Sequence, residues 1–215
     1  MIIPAFPSFN IYSQIARVTT ALGPLCVATV ANKIDGWDAE VVDENNYRTF
    51  GPRTSDGLPD HEALQRLRPA DVVGFYGGLT STSPRLYELA RFYRQRGVVT
   101  VAGGQHFVGE NLREGLDNEV QFIVIGEGEA TIHELLQAIP AGREPDHVAG
   151  LAFRRNGELV QTPAREPLTD FDLLPVPDFG LLRYAQLKLY PVAWVRGCGM
   201  NCEFCTVKGL SLIHI

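Results

Sequence analysis

The sequence of 215 residues lacks several features that mark large classes of protein. No apolar run approaches the roughly 18 residues of a membrane-spanning helix. The start, Met-Ile-Ile-Pro-Ala-Phe-Pro, has no basic segment of the kind that begins a secretory signal. The formal net charge is −6, so the basic surface that nucleic acids require is not visible. These absences predict a cytoplasmic protein with no membrane span and no nucleic-acid partner, in a compartment where thiols stay reduced.

Cysteine is scarce, and its distribution is the most informative feature of the chain. Three of the four cysteines form a C-x3-C-x2-C run, Cys198, Cys202 and Cys205, directly after the apolar segment 191–195, whereas Cys26 lies far upstream in an apolar helical pattern and is predicted to be core. Three thiolates on one loop hold three irons of a [4Fe–4S] cluster and leave the fourth iron open, as a reaction centre needs. Zinc sites usually pair two C-x2-C knuckles or add histidines, so the spacing favours the cluster, with zinc or unliganded thiols as the alternatives.

A Gly-x-Gly-x-x-Gly motif is also missing after the first predicted strand, which argues against a standard NAD site. Short apolar runs nevertheless alternate with helical patterns, which lie around residues 22–30, 83–93 and 130–139. Apolar runs without internal alternation are typical of strands buried on both faces of a parallel sheet. We therefore predict an α/β fold with a doubly wound, five-stranded parallel sheet. Its predicted strands are Ile2–Phe6, Ala39–Val42, Val72–Tyr76, Val98–Ala102 and Phe122–Ile125.

Glycine and small polar residues follow three of these strands. Ligands of such sheets bind at the carboxyl ends of the strands, and glycine lets a backbone approach a flat ligand closely. The three segments therefore predict a binding edge, with glycines that merely terminate strands as the alternative. The residues assigned to this edge are Gly77, Gly78, Thr80 and Ser81 after the third strand, Gly103 and Gly104 after the fourth, and Gly126, Glu127 and Gly128 after the fifth.

Other polar residues near this edge are less specific. The segment Asp43-Glu44-Asn45 follows the second strand, where an acidic residue either meets a ribose or lies in a solvated loop. His106 either lines a pocket or is exposed, and His61 is predicted to be a surface or packing residue. Glu127 is expected to line the pocket or order its loop, and Glu129 to lie near a helix amino terminus, where the dipole favours a carboxylate.

A hairpin and a proline-rich connector follow. Residues 148–162 are predicted to form a β-hairpin with Asn156-Gly157 as its type I′ turn. The connector is predicted to be extended, because proline restricts the residue before it. Its prolines are Pro163, Pro167, Pro175 and Pro177.

Two parts of the sequence resemble one family. The cysteine spacing, with the aromatic Phe204 just before the last cysteine, resembles the signature of the radical S-adenosylmethionine enzymes. The glycine-rich segments upstream resemble the cobalamin-binding domain fused to many of them, and the linker 174–178 (Leu-Pro-Val-Pro-Asp) is similar to theirs. The resemblance implies a flavodoxin-like, cobalamin-binding-type domain over residues 1–145 and a hairpin and linker over 146–188. Residues 189–215 would then be the first strand and cluster loop of a truncated (β/α) radical barrel.

The resemblance implies three cofactors and a reaction. The cysteines would hold a [4Fe–4S] cluster, S-adenosylmethionine would bind its open iron beside Phe204, and cobalamin would bind the glycine-rich edge. Reductive cleavage of S-adenosylmethionine would give a 5′-deoxyadenosyl radical, for methyl transfer to an unactivated carbon or a related radical reaction. The implied partners are a small-molecule substrate and an electron donor such as flavodoxin or ferredoxin. Two alternatives stay open: a radical enzyme whose first domain binds no corrin, and a non-enzymatic cobalamin module with incidental cysteines.

Two features depart from the family pattern. The segment 7–17 lacks the Asp-x-His-x-x-Gly of cobalamin domains that coordinate cobalt, so a histidine ligand is not expected. The chain also stops soon after Cys205, whereas a complete (β/α)8 barrel takes about 250 residues. We therefore expect this chain to be inactive alone and its tail, 210–215, to be non-native.

Overall fold

The structure is a computed structural model, and it describes residues 1–48, 50–143, 145–166, 168, 170–193, 195–197, 203 and 213–214. The strands are β1 (Ile2–Ile3), β2 (Val41–Asp43), β3 (Val72–Tyr76), β4 (Val99–Gly103), β5 (Phe122–Val124), β6 (Leu151–Arg155), β7 (Glu158–Gln161), β8 (Leu182–Arg183), β9 (Val195–Arg196) and β10 (Ile213–His214). The α-helices are α1 (Ser13–Ala16), α2 (Leu22–Ala31), α3 (His61–Leu67), α4 (Ser83–Arg94), α5 (Glu110–Asp117) and α6 (Gly128–Ala138). Among the described residues, none of the helices has the length and apolar character needed to cross a bilayer.

One mixed sheet organises the fold. Its strand order is β7-β6-β5-β4-β3-β1-β2-β8, and β9 pairs separately with β10. The inner strands β2, β1, β3, β4 and β5 are all parallel, in the flavodoxin-like order that right-handed crossovers produce. The α/β prediction is confirmed, and each of the five predicted strands is present, although β1 is limited to Ile2–Ile3.

The sheet has eight strands rather than the predicted five, because each edge carries additional strands. The hairpin β6–β7 pairs antiparallel with β5, and β8 pairs parallel with β2. A bare edge strand leaves a row of backbone N–H and C=O groups unpaired, and the added strands satisfy them. The linker therefore contributes to the main sheet, and the domain boundaries at residues 145 and 188 stay a prediction.

Helices cover both faces of the sheet. α2 and α6 pack together on one face, where Leu135 and Val101 belong to one buried cluster. α4 and α5 cover the other face around Phe75, Leu86 and Phe107. The three predicted helical patterns are confirmed as α2, α4 and α6, whereas α1, α3 and α5 were not anticipated. Burial of both sheet faces explains why the strand sequences show no polar alternation.

The hairpin turn has the predicted conformation. Asn156 and Gly157 have φ angles of +50° and +86°, so both central residues are left-handed, as a type I′ turn requires. The two strands that the turn joins are shorter than predicted, because β6 begins at Leu151 and β7 ends at Gln161.

A buried ion-pair network holds the end of β2, where the sequence suggested a ribose contact or a solvated loop. The Glu44 side chain is fully buried and contacts Arg85 of α4 at 2.7 Å and His61 of α3 at 3.0 Å. It also accepts a hydrogen bond of 2.8 Å from the backbone N–H of Ala5. Burial alone raises the pKa of Glu44, but the hydrogen bonds from His61 and Arg85 outweigh burial and lower it to about 2. His61 is thus a packing residue, and the network joins the loop after β1 to two helices.

We expect Glu44→Gln to lower the free energy of unfolding at neutral pH by about 3 kcal/mol, since it removes the only carboxylate shared by Arg85 and His61 in this described network. Because the folded pKa is depressed, this contribution is complete above pH 4.5 and disappears as the pH falls toward 2. Denaturant unfolding of both proteins across this pH range measures it. Glu88→Gln is the matched control, because Glu88 contacts the same Arg85 at 2.9 Å but is 63% exposed. A loss for Glu44→Gln that is no larger than the loss for Glu88→Gln would contradict the account.

Candidate cofactor site

A cleft of about 370 Å³ opens at the carboxyl ends of β3, β4 and β5, between the sheet and helices α2 and α6. Gly23, Cys26 and Val27 of α2 form one wall, and Tyr76 and Val101 belong to the sheet side. The walls are mostly apolar, and the volume lies within the range of cofactor sites. The cleft therefore occupies the place where sheets of this topology bind ligands.

The predicted binding residues that follow β4 and β5 come together in this cleft. They are Gly103, Gly104, Gly126, Glu127 and Gly128. Gly126 has a φ of +80°, and a Cβ placed on it would meet no heavy atom within 4 Å. This glycine therefore supplies both a left-handed turn and open backbone that faces no protein neighbour.

The glycines after β3 have a different position. Gly77 is buried and lies outside the cleft lining, and its N–H donates to the Gly103 carbonyl oxygen at 2.8 Å. A Cβ on Gly104, whose φ is +120°, would lie only 2.6 Å from the Gly77 oxygen. A Cβ on Gly78 would lie 2.4 Å from the ring of Tyr76. These glycines permit close contact between the loops after β3 and β4, which shapes the edge.

The hydroxyl groups after β3 are tied to neighbouring loops. Thr80 is exposed, and its Oγ1 lies 3.2 Å from Nδ1 of His106. Ser81 Oγ accepts a hydrogen bond of 3.1 Å from Asn10, in the loop after β1. These side-chain contacts therefore link the loops after β1, β3 and β4 to one another at one edge of the sheet.

His106 is buried, so the alternative of surface exposure is wrong. Its Nε2 lies 3.0 Å from the hydroxyl of Tyr87, and Asn111 donates to its backbone oxygen at 2.7 Å. Burial lowers the pKa of His106 below its ordinary value, against a smaller opposing effect of Glu114. The neutral imidazole of His106 therefore links Thr80, in the loop after β3, to Tyr87 of α4.

Both carboxylates of the Gly-Glu-Gly-Glu segment contact one arginine. Arg196 lies on β9, and its Nη1 and Nη2 contact Glu127 Oε2 and Glu129 Oε1, each at 2.6 Å. Burial alone lowers the pKa of Arg196, but the carboxylates of Glu129 and Glu127 outweigh it and raise the pKa above its ordinary value. Glu127 therefore orders its loop as well as lining the cleft, and Glu129 lies in the first turn of α6 as predicted.

Cys26 lines the cleft from α2 and is buried, in agreement with its predicted core position. Burial raises the pKa of its thiol, and the charge of Arg196 opposes that shift. Cys26 is therefore held as a neutral thiol in the wall of the cleft.

The predicted cluster ligands Cys198, Cys202 and Cys205, together with Phe204, lie outside the described residues. Gly197, which immediately precedes the first of them, lines the cleft beside Arg196. Within the ranges that the structure covers, no group of three His, Cys, Asp or Glu side chains is placed to hold a metal ion. The assignment of the cluster therefore depends on the sequence spacing.

Known proteins resemble this chain in sequence and in structure. No protein-family model matches it. An uncharacterised methyltransferase of Pyrococcus horikoshii is 32% identical over an alignment of 209 residues, and the match covers 90% of this chain and 43% of the relative. The anaerobic magnesium-protoporphyrin IX monomethyl ester cyclase of Synechocystis is 30% identical over 173 residues, covering 74% of this chain and 33% of the relative. The chain thus spans less than half the length of these curated relatives.

Solved structures match the fold over most of the chain. OxsB, a cobalamin-dependent S-adenosylmethionine radical enzyme solved with aqua-cobalamin and S-adenosylmethionine, superposes with a TM-score of 0.67 at 17% identity, over 95% of this chain and 27% of OxsB. The chain has the fold of the cobalamin-dependent radical S-adenosylmethionine enzymes. TsrM from Kitasatospora setae, a radical S-adenosylmethionine methyltransferase solved with cobalamin and a [4Fe–4S] cluster, gives a TM-score of 0.56 at 19% identity, over 82% of this chain and 30% of TsrM. The family resemblance stated from the sequence is confirmed.

Sequence reasoning missed Arg196, the residue that connects the cleft to β9. A signal was present, because a single arginine interrupts the apolar run just before the first clustered cysteine. The partner carboxylates lie about 70 positions earlier in the chain, however, and no local pattern joins the two segments. The tertiary fold brings them together.

Proposed function

We propose that this chain forms the corrin-binding part and the first cluster segment of a cobalamin-dependent radical S-adenosylmethionine enzyme that carries out methyl transfer or a related radical reaction. The observation that carries the proposal is the cleft, in which the glycine-rich loops after β4 and β5 meet the segment that leads into the cysteine loop. One site thereby brings the expected corrin edge next to Arg196 and Gly197, which directly precede the first expected cluster ligand in the sequence. The name of the Pyrococcus horikoshii relative supports methyl transfer.

The apolar walls and the glycine-rich edge of the cleft suit one face of a corrin ring. Its open backbone at Gly126 suits a broad, flat ring, because no side chain intervenes. A second cleft of about 410 Å³, between the same helices and the amino ends of the strands, shares Val27, Gly74 and Val101 with the first. A ligand seated at the edge can therefore extend a long substituent between the sheet and helices α2 and α6. The nucleotide tail of cobalamin is such a substituent.

The residues have distinct proposed roles. Gly103, Gly104, Gly126, Glu127 and Gly128 contact the corrin. Gly77 and Gly78 shape its edge, and Thr80 and Ser81 order the loop beside it. Cys198, Cys202 and Cys205 hold three irons through thiolates, which leaves one iron open for the amino and carboxylate groups of S-adenosylmethionine. Phe204 packs beside that ligand and shields it from water.

A cluster held by the three thiolates would supply one electron for the reductive cleavage of S-adenosylmethionine, and cobalamin held at the glycine-rich edge would carry the methyl group. This chain's own residues bind and orient the two groups. The apolar walls of the cleft exclude water from the corrin, and the neutral thiol of Cys26 adds no charge there. A small-molecule substrate and an electron donor such as flavodoxin or ferredoxin complete the proposed reaction.

The proposal predicts the axial ligation of the cobalt. None of the described residues that line the cleft is a histidine, and His106 is bound instead to Tyr87 and Thr80. With the nucleotide tail drawn into the cleft, neither its base nor a protein imidazole reaches the metal. We expect the electron paramagnetic resonance spectrum of bound cob(II)alamin to lack axial nitrogen hyperfine splitting.

Free cob(II)alamin, which keeps its own base, is the reference spectrum for this measurement, and His106→Gln is the control variant. The variant is expected to leave the spectrum of the bound form unchanged. Nitrogen splitting in the bound form that disappears in His106→Gln would identify a protein ligand and refute the prediction.

A further inference from the structure

Arg196 is held from three sides. Its two terminal nitrogens contact the carboxylates of Glu127 and Glu129, and its guanidinium carbon lies 4.9 Å from the centre of the Phe171 ring. The Arg196 side chain is 22% exposed, and the side chain of Glu129 is only 6% exposed. These contacts join three separate segments of the chain: the start of α6, the linker and β9.

The positions of the two carboxylates match the donors of an arginine side chain. Two carboxylates on residues 127 and 129 are held by one planar group that presents parallel N–H donors. A lysine ammonium is a compact point charge without this planar pair of donors, so it matches two separate carboxylates less well. Glu127 precedes the first turn of α6, yet its side chain makes no capping hydrogen bond to that helix. The carboxylate is therefore available to Arg196.

Stability alone does not explain a partly buried ion pair of this kind. Removing charges from water costs free energy, and well-packed apolar residues of the same volume often give equal or greater stability. What a two-carboxylate contact supplies is a fixed orientation between the segments that it joins. Here those segments are the glycine edge of the cleft and the strand that leads into the cysteine loop.

We propose that Arg196 is a positioning residue that sets the placement of the cysteine loop relative to the corrin edge. The inference rests on the proposed function for the identity of the two groups. Cys198 follows Arg196 by two residues, and two residues of extended chain span about 7 Å. Fixing Arg196 on Glu127 and Glu129 therefore limits how far the first cluster ligand can lie from the glycine edge.

The contact is tested first in the cofactor-free 215-residue chain, by hydrogen exchange of the backbone amides in segments 126–130 and 189–197. We expect Arg196→Gln and the double variant Glu127→Gln/Glu129→Gln to raise exchange in both segments by about tenfold, because local opening no longer breaks the ion pair. Arg196→Lys keeps the positive charge but loses the planar pair of donors, and its exchange is expected to fall between these variants and the parent chain.

Arg165→Gln is the matched control for the exchange measurement. Arg165 contacts Glu134 of α6 through two hydrogen bonds of 3.0 and 2.6 Å, and its side chain is 19% exposed. Its other described hydrogen bonds reach Thr131 and Ala149, not residues 126–129 or 189–197. This variant is expected to leave exchange of 189–197 unchanged. Equal exchange of that segment in the parent, Arg196→Gln and Arg165→Gln proteins would overturn the inference, whether or not the protein binds cofactors.

The functional consequence is tested in the complete gene product loaded with cobalamin and reconstituted with iron and sulfide. Pulsed electron paramagnetic resonance of cob(II)alamin and the reduced cluster gives the distribution of distances between the two centres. Arg196→Gln is expected to broaden this distribution while the iron content stays within about threefold of the parent value. An unchanged distribution would overturn the positioning role. A parent protein that binds no cobalamin would instead refute the proposed function. In that case, the exchange measurement alone would show whether Arg196 holds the two segments together.

Discussion

Replacing any one of Cys198, Cys202 or Cys205 with Ala is expected to abolish the iron–sulfur cluster of the complete gene product. Each residue is assigned one iron of a [4Fe–4S] cluster, and the sequence has no spare cysteine near the loop. After anaerobic reconstitution, we expect about four irons per parent chain and a small fraction of that in each variant. The absorption change that S-adenosylmethionine causes in the parent protein is expected to be lost in all three variants.

The chain contains its own control for this experiment. Cys26 is the remaining cysteine, buried in α2 and separate in sequence from the loop. Cys26→Ala is expected to keep the iron content and the response to S-adenosylmethionine, since its neutral thiol is assigned to the cleft wall. Normal cluster content in the three loop variants would contradict the ligand assignment, and zinc in place of iron would support the alternative of a structural zinc site.

Gly23→Trp is expected to weaken cobalamin binding by about a hundredfold, equivalent to about 2.7 kcal/mol. Gly23 lines the mouth of the cleft, has no left-handed backbone, and a Cβ placed on it meets no heavy atom within 4 Å. The indole therefore enters space that the protein itself does not use, and it competes with the corrin for that space. Because glycine is unfavourable in a helix, the free energy of unfolding is expected to stay constant or rise by up to about 1 kcal/mol.

The stability measurement separates blocking from unfolding. His133→Trp is the matched control, because His133 is exposed on α6 and lies outside the cleft lining. It adds the same side chain to a helix beside the cleft and is expected to leave cobalamin affinity unchanged. Equal affinity of the parent and Gly23→Trp proteins, measured by absorbance titration, would place the corrin elsewhere.

The sequence predicted the inner part of the sheet because local signals suffice there. Val72–Tyr76 and Phe122–Ile125 are short apolar runs, and burial on both faces removes any polar alternation. The pairing of the outer strands was not predictable in this way. Leu182–Arg183 carries no strand pattern, yet it pairs with β2 because the open edge of that strand offers unpaired backbone groups. The hairpin was recognisable from Asn156-Gly157, but its attachment to β5 was not.

In the candidate site, too, local sequence patterns were predictable and contacts between distant segments were not. The glycines after β4 and β5 were predicted together, since parallel strands place their carboxyl ends at one edge. Gly77 and Gly104 look alike in the sequence, and only the structure shows that Gly104 lines the cleft whereas Gly77 packs against it, with its oxygen 2.6 Å from a Cβ placed on Gly104. Contacts between distant segments, such as His106 with Tyr87 or Arg196 with Glu127, leave no local pattern, so the structure was needed to find them.

The proposed function requires one protein to hold both a corrin and an iron–sulfur cluster. Cobalt, iron and sulfide analysis of the complete gene product, purified anaerobically and loaded with cobalamin, is the decisive measurement. We expect about one cobalt and about four irons per chain, with both retained after gel filtration. Iron without cobalt would indicate a radical enzyme whose first domain binds no corrin, cobalt without iron would indicate a cobalamin module with incidental cysteines, and either result would contradict the account.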